Sequence, residues 1–141
     1  MYLLDTNVVS ELRKASSGRA DERVVAWAES VAAADLSISA ITVLELELGI
    51  LQLQRRDIPQ SAMLRRWMDN YVLPTFNGRI LPVDAAIALR CAALHVPNPR
   101  SERDSLIAAT ALVHRLIVVT RNEADFASTG TQILNPWHSL S

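Results

Sequence analysis

The sequence predicts an α/β fold with a mainly parallel sheet, and three observations support this prediction. Short apolar runs alternate along the chain with longer stretches of helical periodicity, as in successive βα units. Two of these runs are followed directly by an Asp that can cap a helix, at Asp5 and Asp84. Hydrophobic residues make up 50% of the 141 residues and charged residues 21%, which is ample for one core. No repeat or linker divides the chain, so we expect residues 1–141 to form a single domain.

The predicted strands are short. The apolar run Tyr2–Leu4 ends abruptly at Asp5, and Leu36–Ser39 alternates between apolar and polar residues. Similar patterns predict strands over residues 79–83 and 116–120, with a weaker candidate at 132–134. The sheet therefore has four to five strands.

Helical periodicity accounts for most of the remaining chain. The segment Asp57-Ile58-Pro59 separates two of the helices, and Asp84 begins another. Residues 97 and 99 are prolines and enclose a loop. The predicted helices cover residues 21–34, 42–53, 60–73, the segment after Asp84, and 102–115.

Composition excludes several classes of protein. Fourteen basic residues against fifteen acidic residues give a net charge of −1, so the chain has no strongly basic coat for nucleic acid. The single cysteine, Cys91, excludes an internal disulfide framework, and its apolar neighbours predict a buried structural thiol. The amino-terminal residues lack a basic leader, and no apolar run approaches the roughly 18 residues that cross a bilayer. We therefore expect a cytoplasmic protein without a membrane span.

Acidic residues recur where the predicted strands end. Asp5 follows the first strand, Glu45 lies early in the helix after the second, and Asp125 comes soon after the fourth. In a parallel sheet these positions share the carboxyl edge, where ligands of α/β proteins bind. Asp104, in the first turn of the helix before the fourth strand, joins them only if that helix begins near the same edge.

Each acid taken alone has an ordinary role as a helix cap, but four converging acids need a partner. Two carboxylates about 5 Å apart repel each other by roughly 3 kcal/mol at an effective dielectric constant near 20. No lysine and few arginines are positioned in the sequence to neutralise the cluster, which predicts a bound cation. An all-oxygen set favours Mg²⁺ or Mn²⁺ over zinc, and the three histidines show no ligand spacing.

A magnesium site at the edge of an α/β sheet is suited to phosphodiester hydrolysis, because the metal polarises the phosphoryl oxygen and activates water. The four glycines are isolated, at positions 18, 49, 78 and 130, so the chain has no glycine-rich phosphate loop. It also lacks the Gly-x-Ser-x-Gly turn of serine hydrolases. Metal-assisted hydrolysis is therefore the chemistry that the residues favour.

Four short motifs now identify a family resemblance. In chain order they are Leu4-Asp5-Thr6-Asn7, residues 39–46 with Glu45 followed by Gly49, Arg103-Asp104, and residues 119–122 followed by Asp125-Phe126. Together they span nearly the whole chain and resemble the PIN-domain ribonucleases, more narrowly the toxins of bacterial VapBC-type toxin–antitoxin pairs. The closing Asn135-Pro136-Trp137 is similar to the FitB-like subgroup.

The resemblance implies a PIN-like three-layer α/β/α sandwich and a Mg²⁺- or Mn²⁺-dependent endoribonuclease. It implies that Asp5 and Asp104 are direct metal ligands, and that Glu45 and Asp125 complete the pocket or act through water. Polar groups at three further positions, Thr6, Asn7 and Thr120, would orient the site.

The resemblance also implies partners. These are an RNA substrate and a small cognate antitoxin whose tail blocks the pocket, often with an Arg. Promoter DNA would be bound only through the toxin–antitoxin complex.

Alternatives remain open at this point. A related Mg²⁺-dependent phosphoesterase acting on DNA would use a similar acid pocket, although no extended basic tract is visible. A regulatory protein that binds partners without catalysis is expected to lack one of the acids, and none is missing here. Four arginines, at positions 55, 56, 65 and 66, form either an RNA-facing surface or a solvated helix face.

The helix predicted over residues 42–53 carries two apolar arcs, whereas one core usually covers one arc. We expect the second arc, together with the apolar face of the next helix, to be shared between a homodimer interface and the antitoxin. The alternative is that the two helices cover each other within one subunit. The first arc comprises Ile41, Leu44, Leu48 and Leu51, the second Leu46, Ile50 and Leu53, and the apolar face of the next helix Leu64, Trp67, Met68 and Tyr71.

Overall fold

The computed structural model of the chain describes residues 1–138. This part of the chain contains five strands and eight α-helices. The strands are β1 (Tyr2–Leu4), β2 (Leu36–Ser39), β3 (Ile80–Leu81), β4 (Ile117–Val119) and β5 (Ile133–Leu134). The helices are α1 (Thr6–Arg13), α2 (Glu22–Glu29), α3 (Ala40–Gln54), α4 (Ile58–Trp67), α5 (Leu73–Thr75), α6 (Ala85–Leu94), α7 (Glu102–His114) and α8 (Glu123–Phe126).

All five strands pair in parallel, in the order β3-β2-β1-β4-β5. The chain builds outward from β1 through β2 to β3, and then returns to the other side of β1 with β4 and β5. The strand order therefore reverses between β1 and β4, which is the place where open α/β sheets bind ligands. The predicted parallel sheet is confirmed, with five strands.

Both faces of the sheet are buried. On β1, Leu4 belongs to the core cluster with α1, α2 and α3, whereas its neighbour Leu3 belongs to the cluster with α7. On β4, Val119 and Val118 divide between the same two clusters. Because successive side chains of a strand point to opposite faces, helices must cover both sides of the sheet. The result is the expected three-layer α/β/α sandwich.

Helix starts follow the predicted caps. The carboxylate of Asp84 accepts a hydrogen bond from the backbone N–H of Ile87 at 3.0 Å, as expected for the cap of α6. Asp57 caps α4 by accepting from the N–H of Gln60 at 3.1 Å. Helix α4 therefore begins at Ile58, earlier than the expected residue 60, because Pro59 is tolerated in the first turn.

Several element ends differ from expectation. Helix α2 ends at Glu29 rather than residue 34, where the Ser30 hydroxyl bonds back to the carbonyl of Trp27. Strand β3 stops before Pro82, which has no N–H for the ladder. Helix α4 continues through a π-helical turn, Met68–Val72, into α5. Cys91 is only 6% exposed, which confirms the buried thiol.

The two arcs of α3 have different environments. Leu46 and Ile50 of the second arc lie in the main core, where Leu64 and Trp67 of α4 pack against the same cluster. The expectation that this arc forms a partner interface is therefore wrong, and the alternative of mutual cover within one subunit holds. The first arc is exposed in part, since Leu44 and Leu51 are 48% and 47% exposed, whereas Ile41 is buried.

Arg79 connects the loops on the β3 side of the sheet. Its guanidinium donates hydrogen bonds to the backbone carbonyls of Ala33, Leu36 and Thr75, and it packs over the ring of Phe76. One planar cation thus satisfies carbonyl groups from three chain segments at once. No helix among residues 1–138 has the length and apolar character needed to cross a membrane.

We expect Arg79→Ala to lower the free energy of unfolding by about 2–4 kcal/mol, because hydrogen bonds to a charged group contribute about 1.5–3 kcal/mol each and are not additive. Urea unfolding followed by circular dichroism measures the change. The matched control is Arg56→Ala, at an exposed arginine, which should stay within about 0.5 kcal/mol of the parent. Equal midpoints for the two variants would show that the guanidinium contributes little to stability.

Candidate active site

The centre of the site is Asp5, a carboxylate that is only 6% exposed. It lies directly after β1, and its backbone N–H donates to the carbonyl of Val119 at 2.9 Å, extending the β1–β4 ladder by one residue. Leu4 pairs with Val119, so Asp5 is next in register with Thr120. The parallel register thus places both polar side chains at the carboxyl ends of adjacent strands.

Hydrogen bonds hold both oxygens of the Asp5 carboxylate. The backbone N–H of Thr6 donates to Oδ1 at 2.8 Å, which caps α1. The Thr120 hydroxyl and the Asn7 amide donate to Oδ2 at 2.7 and 3.2 Å. A buried charge needs such donors, because water no longer solvates it. Thr6, Asn7 and Thr120 therefore all contact the Asp5 carboxylate.

The loop after β4 is fastened to the same network. The Thr120 hydroxyl oxygen accepts a hydrogen bond from the N–H of Asn122 at 3.0 Å. The Asn7 side-chain oxygen accepts from the N–H of Arg121 at 3.2 Å. Helix α1 and the β4–α8 loop therefore hold each other in place around Asp5.

Glu45 reaches the site from α3. This helix starts at the carboxyl end of β2, where the Ser39 hydroxyl accepts from the N–H of Ile41 at 2.9 Å. Glu45 lies in the second turn, and the Thr6 hydroxyl donates to its Oε1 at 2.7 Å. The buried Thr42, three residues earlier and therefore on the same helix face, lies 3.1 Å from that hydroxyl.

Asp104 joins the cluster because of the direction of α7. A helix that leads into a parallel strand runs back across the sheet, so α7 begins near the carboxyl edge and ends near the start of β4. Asp104 lies in its first turn. Asp5, Glu45 and Asp104 line one open cleft of about 460 Å³.

Asp125 is in the short helix α8, is exposed, and lies outside the residues that line this cleft. Its negative charge nevertheless reaches the site, because it raises the pKa of both Asp5 and Asp104. The four predicted acids therefore share one electrostatic neighbourhood, with Asp125 at its margin.

Burial and like charge make the cleft unfavourable for carboxylates. Burial is the main cause that raises the pKa of Asp104 to about 6, and the charges of Asp125, Asp5 and Glu45 add to the rise. Burial also raises the pKa of Asp5 above its usual value, although the hydrogen bonds from Thr120 and Thr6 oppose it. A cation in the cleft would relieve both effects.

Basic residues contribute more to the site than the sequence predicts. Lys14 and Arg121 line the acid cleft, and the Lys14 ammonium pairs with Glu11 Oε1 at 3.1 Å. Arg103 Nη1 lies 3.8 Å from Glu45 Oε2 on a half-exposed surface. The order of residues in the sequence does not reveal these two cations, because Lys14 and Arg121 approach the acids only in the folded chain.

The remaining polar lining comes largely from one face of α1. Its members follow the spacing i, i+3, i+4, i+7, which puts them on one side of a helix. A search for polar helical periodicity after Asp5 would have found them. Asn122 and Arg121 could have been found too, because they follow the end of β4. These residues are Asn7, Ser10 and Glu11 of α1 and Lys14, which directly follows the helix, and Trp137 completes the lining.

The donor set matches a hard divalent cation in its chemistry, because the polar groups in the acid cleft are mainly carboxylate, hydroxyl and amide oxygens. Among residues 1–138, no three Asp, Glu, His or Cys side chains stand close enough together to hold an ion as they are. Mg²⁺ does not require such a cage, since it usually keeps several waters and binds one or two carboxylates. The site therefore fits Mg²⁺ better than a cation that needs a full protein shell.

Comparisons with known proteins find similar proteins along nearly the whole chain. The family model of the PIN domain matches residues 2–131. The chain is 39% identical to Toxin FitB from Neisseria gonorrhoeae, over 98% of this chain and 99% of that protein. It is also 39% identical to VapC ribonuclease Y4jK from Sinorhizobium fredii, over 97% of this chain and 98% of that protein.

Two solved structures are also similar to this chain along nearly its whole length. The crystal structure of FitAcB from Neisseria gonorrhoeae superposes with a TM-score of 0.88 at 38% identity, over 99% of this chain and 100% of that chain. The structure of FitAB bound to an IR36 DNA fragment gives a TM-score of 0.87 at 37% identity, over 100% of this chain and 99% of that chain.

The raised pKa values predict how stability depends on pH. In metal-free protein, folded Asp104 has a pKa of about 6, above its unfolded value near 4. The protonated carboxyl of Asp104 therefore contributes to the free energy of unfolding. This contribution is complete below pH 4 and is lost as the pH rises to about 7. Because the side chain is half-buried, solvent screens its interactions. We therefore expect the free energy of unfolding to fall by about 1 kcal/mol over this pH range.

Urea unfolding in EDTA at pH 5 and pH 7.5 measures this effect. Asp104→Asn should reduce the difference between the two pH values, whereas Glu22→Gln, at an exposed acid of α2, should not. If Asp104→Asn leaves the pH dependence of the unfolding free energy unchanged, other titrating groups cause that dependence.

Proposed function

Because the chain belongs to the PIN domain family, we propose that it is a metal-dependent endoribonuclease and the toxin of a toxin–antitoxin pair. The proposed ribonuclease activity is supported by the similarity to VapC ribonuclease Y4jK, which matches this chain along almost its whole length. The observation that carries the proposal is the cleft at the β1–β4 reversal, which Asp5, Glu45 and Asp104 line together.

Asp5 and Asp104 are the residues that we propose as direct metal ligands, with Glu45 and Asp125 acting through water. When bound, Mg²⁺ or Mn²⁺ would polarise the phosphoryl oxygen and lower the pKa of its water. The chain's own contribution is to hold the ligands. Thr120 and Asn7 keep the Asp5 carboxylate in one orientation, and Thr6 does the same for Glu45.

The cations of the acid cleft support a nucleic-acid substrate. The Arg121 guanidinium packs over the ring of Trp137 at 5.3 Å, and the backbone of Arg121 is fixed by Asn7. A guanidinium held on an aromatic ring keeps its donors available for phosphate oxygens. We propose that Arg121 contacts the RNA backbone beside the scissile phosphate.

The proposed partner is a cognate antitoxin of the FitA or VapB kind, because solved structures similar to this chain are named FitAcB and FitAB. Its tail would occupy the acid cleft, where an Arg can pair with Asp5 and Asp104. DNA binding would belong to the toxin–antitoxin complex. We propose a cytoplasmic location, in line with RNA as the substrate.

We also propose a homodimer, with the exposed first arc of α3 at its interface. Leu44 and Leu51 are 48% and 47% exposed, and they lie seven residues apart on one helix face. Apolar rows of this kind mark interaction surfaces. The two arginines at the end of the same helix, Arg55 and Arg56, are exposed as well.

The first test separates catalysis from folding. Asp104→Asn should reduce Mg²⁺-dependent RNA cleavage about 100-fold or more, because it removes a metal ligand. It should leave the free energy of unfolding at pH 7.5 equal or up to about 1 kcal/mol higher, because it removes like charge. End-labelled total RNA on a sequencing gel measures the first quantity, and urea unfolding measures the second.

The control is Glu47→Gln. Glu47 points away from the cleft and pairs with Arg65 through two hydrogen bonds of 2.6 Å, so its loss should change cleavage by less than about twofold. Cleavage by Asp104→Asn at the wild-type rate would refute the assigned role.

Metal and substrate class are tested together. RNA cleavage should stop in excess EDTA and return with Mg²⁺ or Mn²⁺. Matched single-stranded and flap DNA substrates should remain intact. Activity in EDTA would refute the metal mechanism, and preferential cleavage of DNA would favour the alternative phosphoesterase.

Sedimentation velocity tests the dimer. The isolated chain should sediment as a dimer at micromolar concentration, and Leu44→Asp should shift it to monomer without lowering its unfolding free energy, because Leu44 is half-exposed. A monomer of the wild-type chain would refute the homodimer.

A further inference from the structure

A second cleft adjoins the acid cleft and differs from it in charge. It has a volume of about 470 Å³ and lies between the end of α1 and α4. Every charged residue in its lining is a cation, and we refer to it as the basic cleft. Its lining consists of Arg13, Lys14, Arg19, Gln60, Met63 and Leu64. Lys14 lines both clefts, so the two are neighbours on either side of this residue.

The cations of the basic cleft are held by local structure. Arg13 ends α1, and its guanidinium lies 5.9 Å from the ring centre of Trp67. Gly18 adopts φ 72°, a conformation that favours glycine, and reverses the chain. The N–H of Arg19 therefore reaches the carbonyl of Lys14 at 3.2 Å, which brings Arg19 back beside α1.

The side chain of Arg19 is also positioned. Its Nε donates to the Ser17 hydroxyl at 3.1 Å, and that hydroxyl donates to the carbonyl of Lys14 at 2.9 Å. The Ser17 hydrogen bond uses one of the five guanidinium donors. The basic cleft thus presents partly ordered cations before any ligand arrives, which reduces the entropy lost on binding.

Neither arginine of the basic cleft is neutralised. Within residues 1–138, no carboxylate forms an ion pair with Arg13 or Arg19. Other arginines of the chain do have such partners, as Arg65 has Glu47 and Arg23 has Asp21. In a chain with a net charge of −1, this is a local concentration of positive charge beside a concentration of acids.

We infer that the basic cleft binds the phosphodiester backbone of the single-stranded RNA whose scissile phosphate lies in the acid cleft. This inference rests on the proposed function and adds a path for the strand. The RNA would cross from the acid cleft over Lys14 and continue between Arg13 and Arg19. These two arginines are positioning residues that act at a distance from the reacting atoms.

Electrostatics favours RNA as the occupant. The carboxylates of the acid cleft repel phosphates, so a strand held there only by a metal ion needs compensating contacts on either side. The basic cleft supplies them along one direction, and the exposed Met63 gives an apolar surface against which a ribose or base can pack. An acidic protein segment is the competing occupant.

The test compares two double variants of equal charge change. Arg13→Gln with Arg19→Gln removes the proposed contacts. Arg90→Gln with Arg115→Gln is the control: Arg90 is exposed on α6, and Arg115 follows the far end of α7, about 16.5 Å from Asp104 at 1.5 Å per residue. The probe is a fluorescein-labelled pool of random single-stranded RNA 12-mers, and binding is followed by anisotropy in EDTA at several salt concentrations.

The basic-cleft variant should bind the pool about tenfold more weakly at low salt. The slope of log K against log salt should fall by about 1.4, since each lost phosphate contact on a single strand lowers it by about 0.7. The control should keep the wild-type slope. Arg13→Lys with Arg19→Lys should restore most of the slope, because it restores the charge.

Cleavage kinetics add a second readout. The basic-cleft variant should raise KM while leaving kcat within about threefold, because the metal ligands are unchanged. The single variant Arg19→Gln, at an exposed position, reports on the cleft even if the Arg13 change lowers stability. Equal slopes for the basic-cleft and control variants would overturn the inference. So would unchanged RNA binding accompanied by lost binding of a labelled poly-glutamate 12-mer.

The proposed function fails by a different result. If wild-type protein plus Mg²⁺ cleaves no RNA, the nuclease assignment is refuted. If wild-type protein cleaves RNA and the basic-cleft variant matches it in affinity, slope and KM, the path along the basic cleft is refuted and the nuclease assignment stands.

Discussion

The parallel register between β1 and β4 determines the position of the site. Because Leu4 pairs with Val119, the next residues in each strand, Asp5 and Thr120, meet at the point where the strand order reverses. A slip of one residue would turn Asp5 toward the wrong face and leave its charge without the Thr120 hydroxyl. The buried apolar residues on both faces of β1 prevent such a slip, so the hydrophobic core indirectly orients the carboxylate.

The charge distribution of the fold is more informative than its total charge. The net charge of the chain is close to zero, but a group of carboxylates lies at one end of the sheet, with cations around it. Burial raises the pKa of both aspartates, but hydrogen bonds from Thr120 and Thr6 oppose the rise at Asp5, whereas the pKa of Asp104 rises to about 6. The two aspartates therefore differ: hydrogen bonds orient the carboxylate of Asp5, and burial and like charge dominate at Asp104.

Local signals in the sequence are enough to locate most of the elements and to place Asp5, Glu45 and Asp125 near the carboxyl ends of strands. Caps at Asp5 and Asp84 and the apolar runs before them depend on neighbouring residues, so they can be recognised without the fold. The position of Asp104 cannot be recognised in this way, because it depends on the direction in which α7 crosses the sheet. Which arc of α3 is buried is equally undetermined, because that depends on where α4 packs.

The missed cations have the same explanation. Lys14 lies nine residues from Asp5, and it enters the cleft only because α1 keeps one face toward it for two turns. Arg121 is separated from Asp5 by most of the chain and reaches it through a strand pairing. Both contacts are long-range consequences of the sheet, and charge counting along the chain does not detect them.

Because the strands share one direction, the acid cleft lies at their carboxyl ends, and within residues 1–138 its lining does not extend to the opposite end of the sheet. There the chain turns at Arg115, in a left-handed conformation, and enters β4. The exposed Arg115 is one short strand away from Thr120, roughly 16.5 Å at 3.3 Å per residue. A fluorophore or surface tether attached at this turn would stand clear of the acid cleft and of the RNA path that we propose.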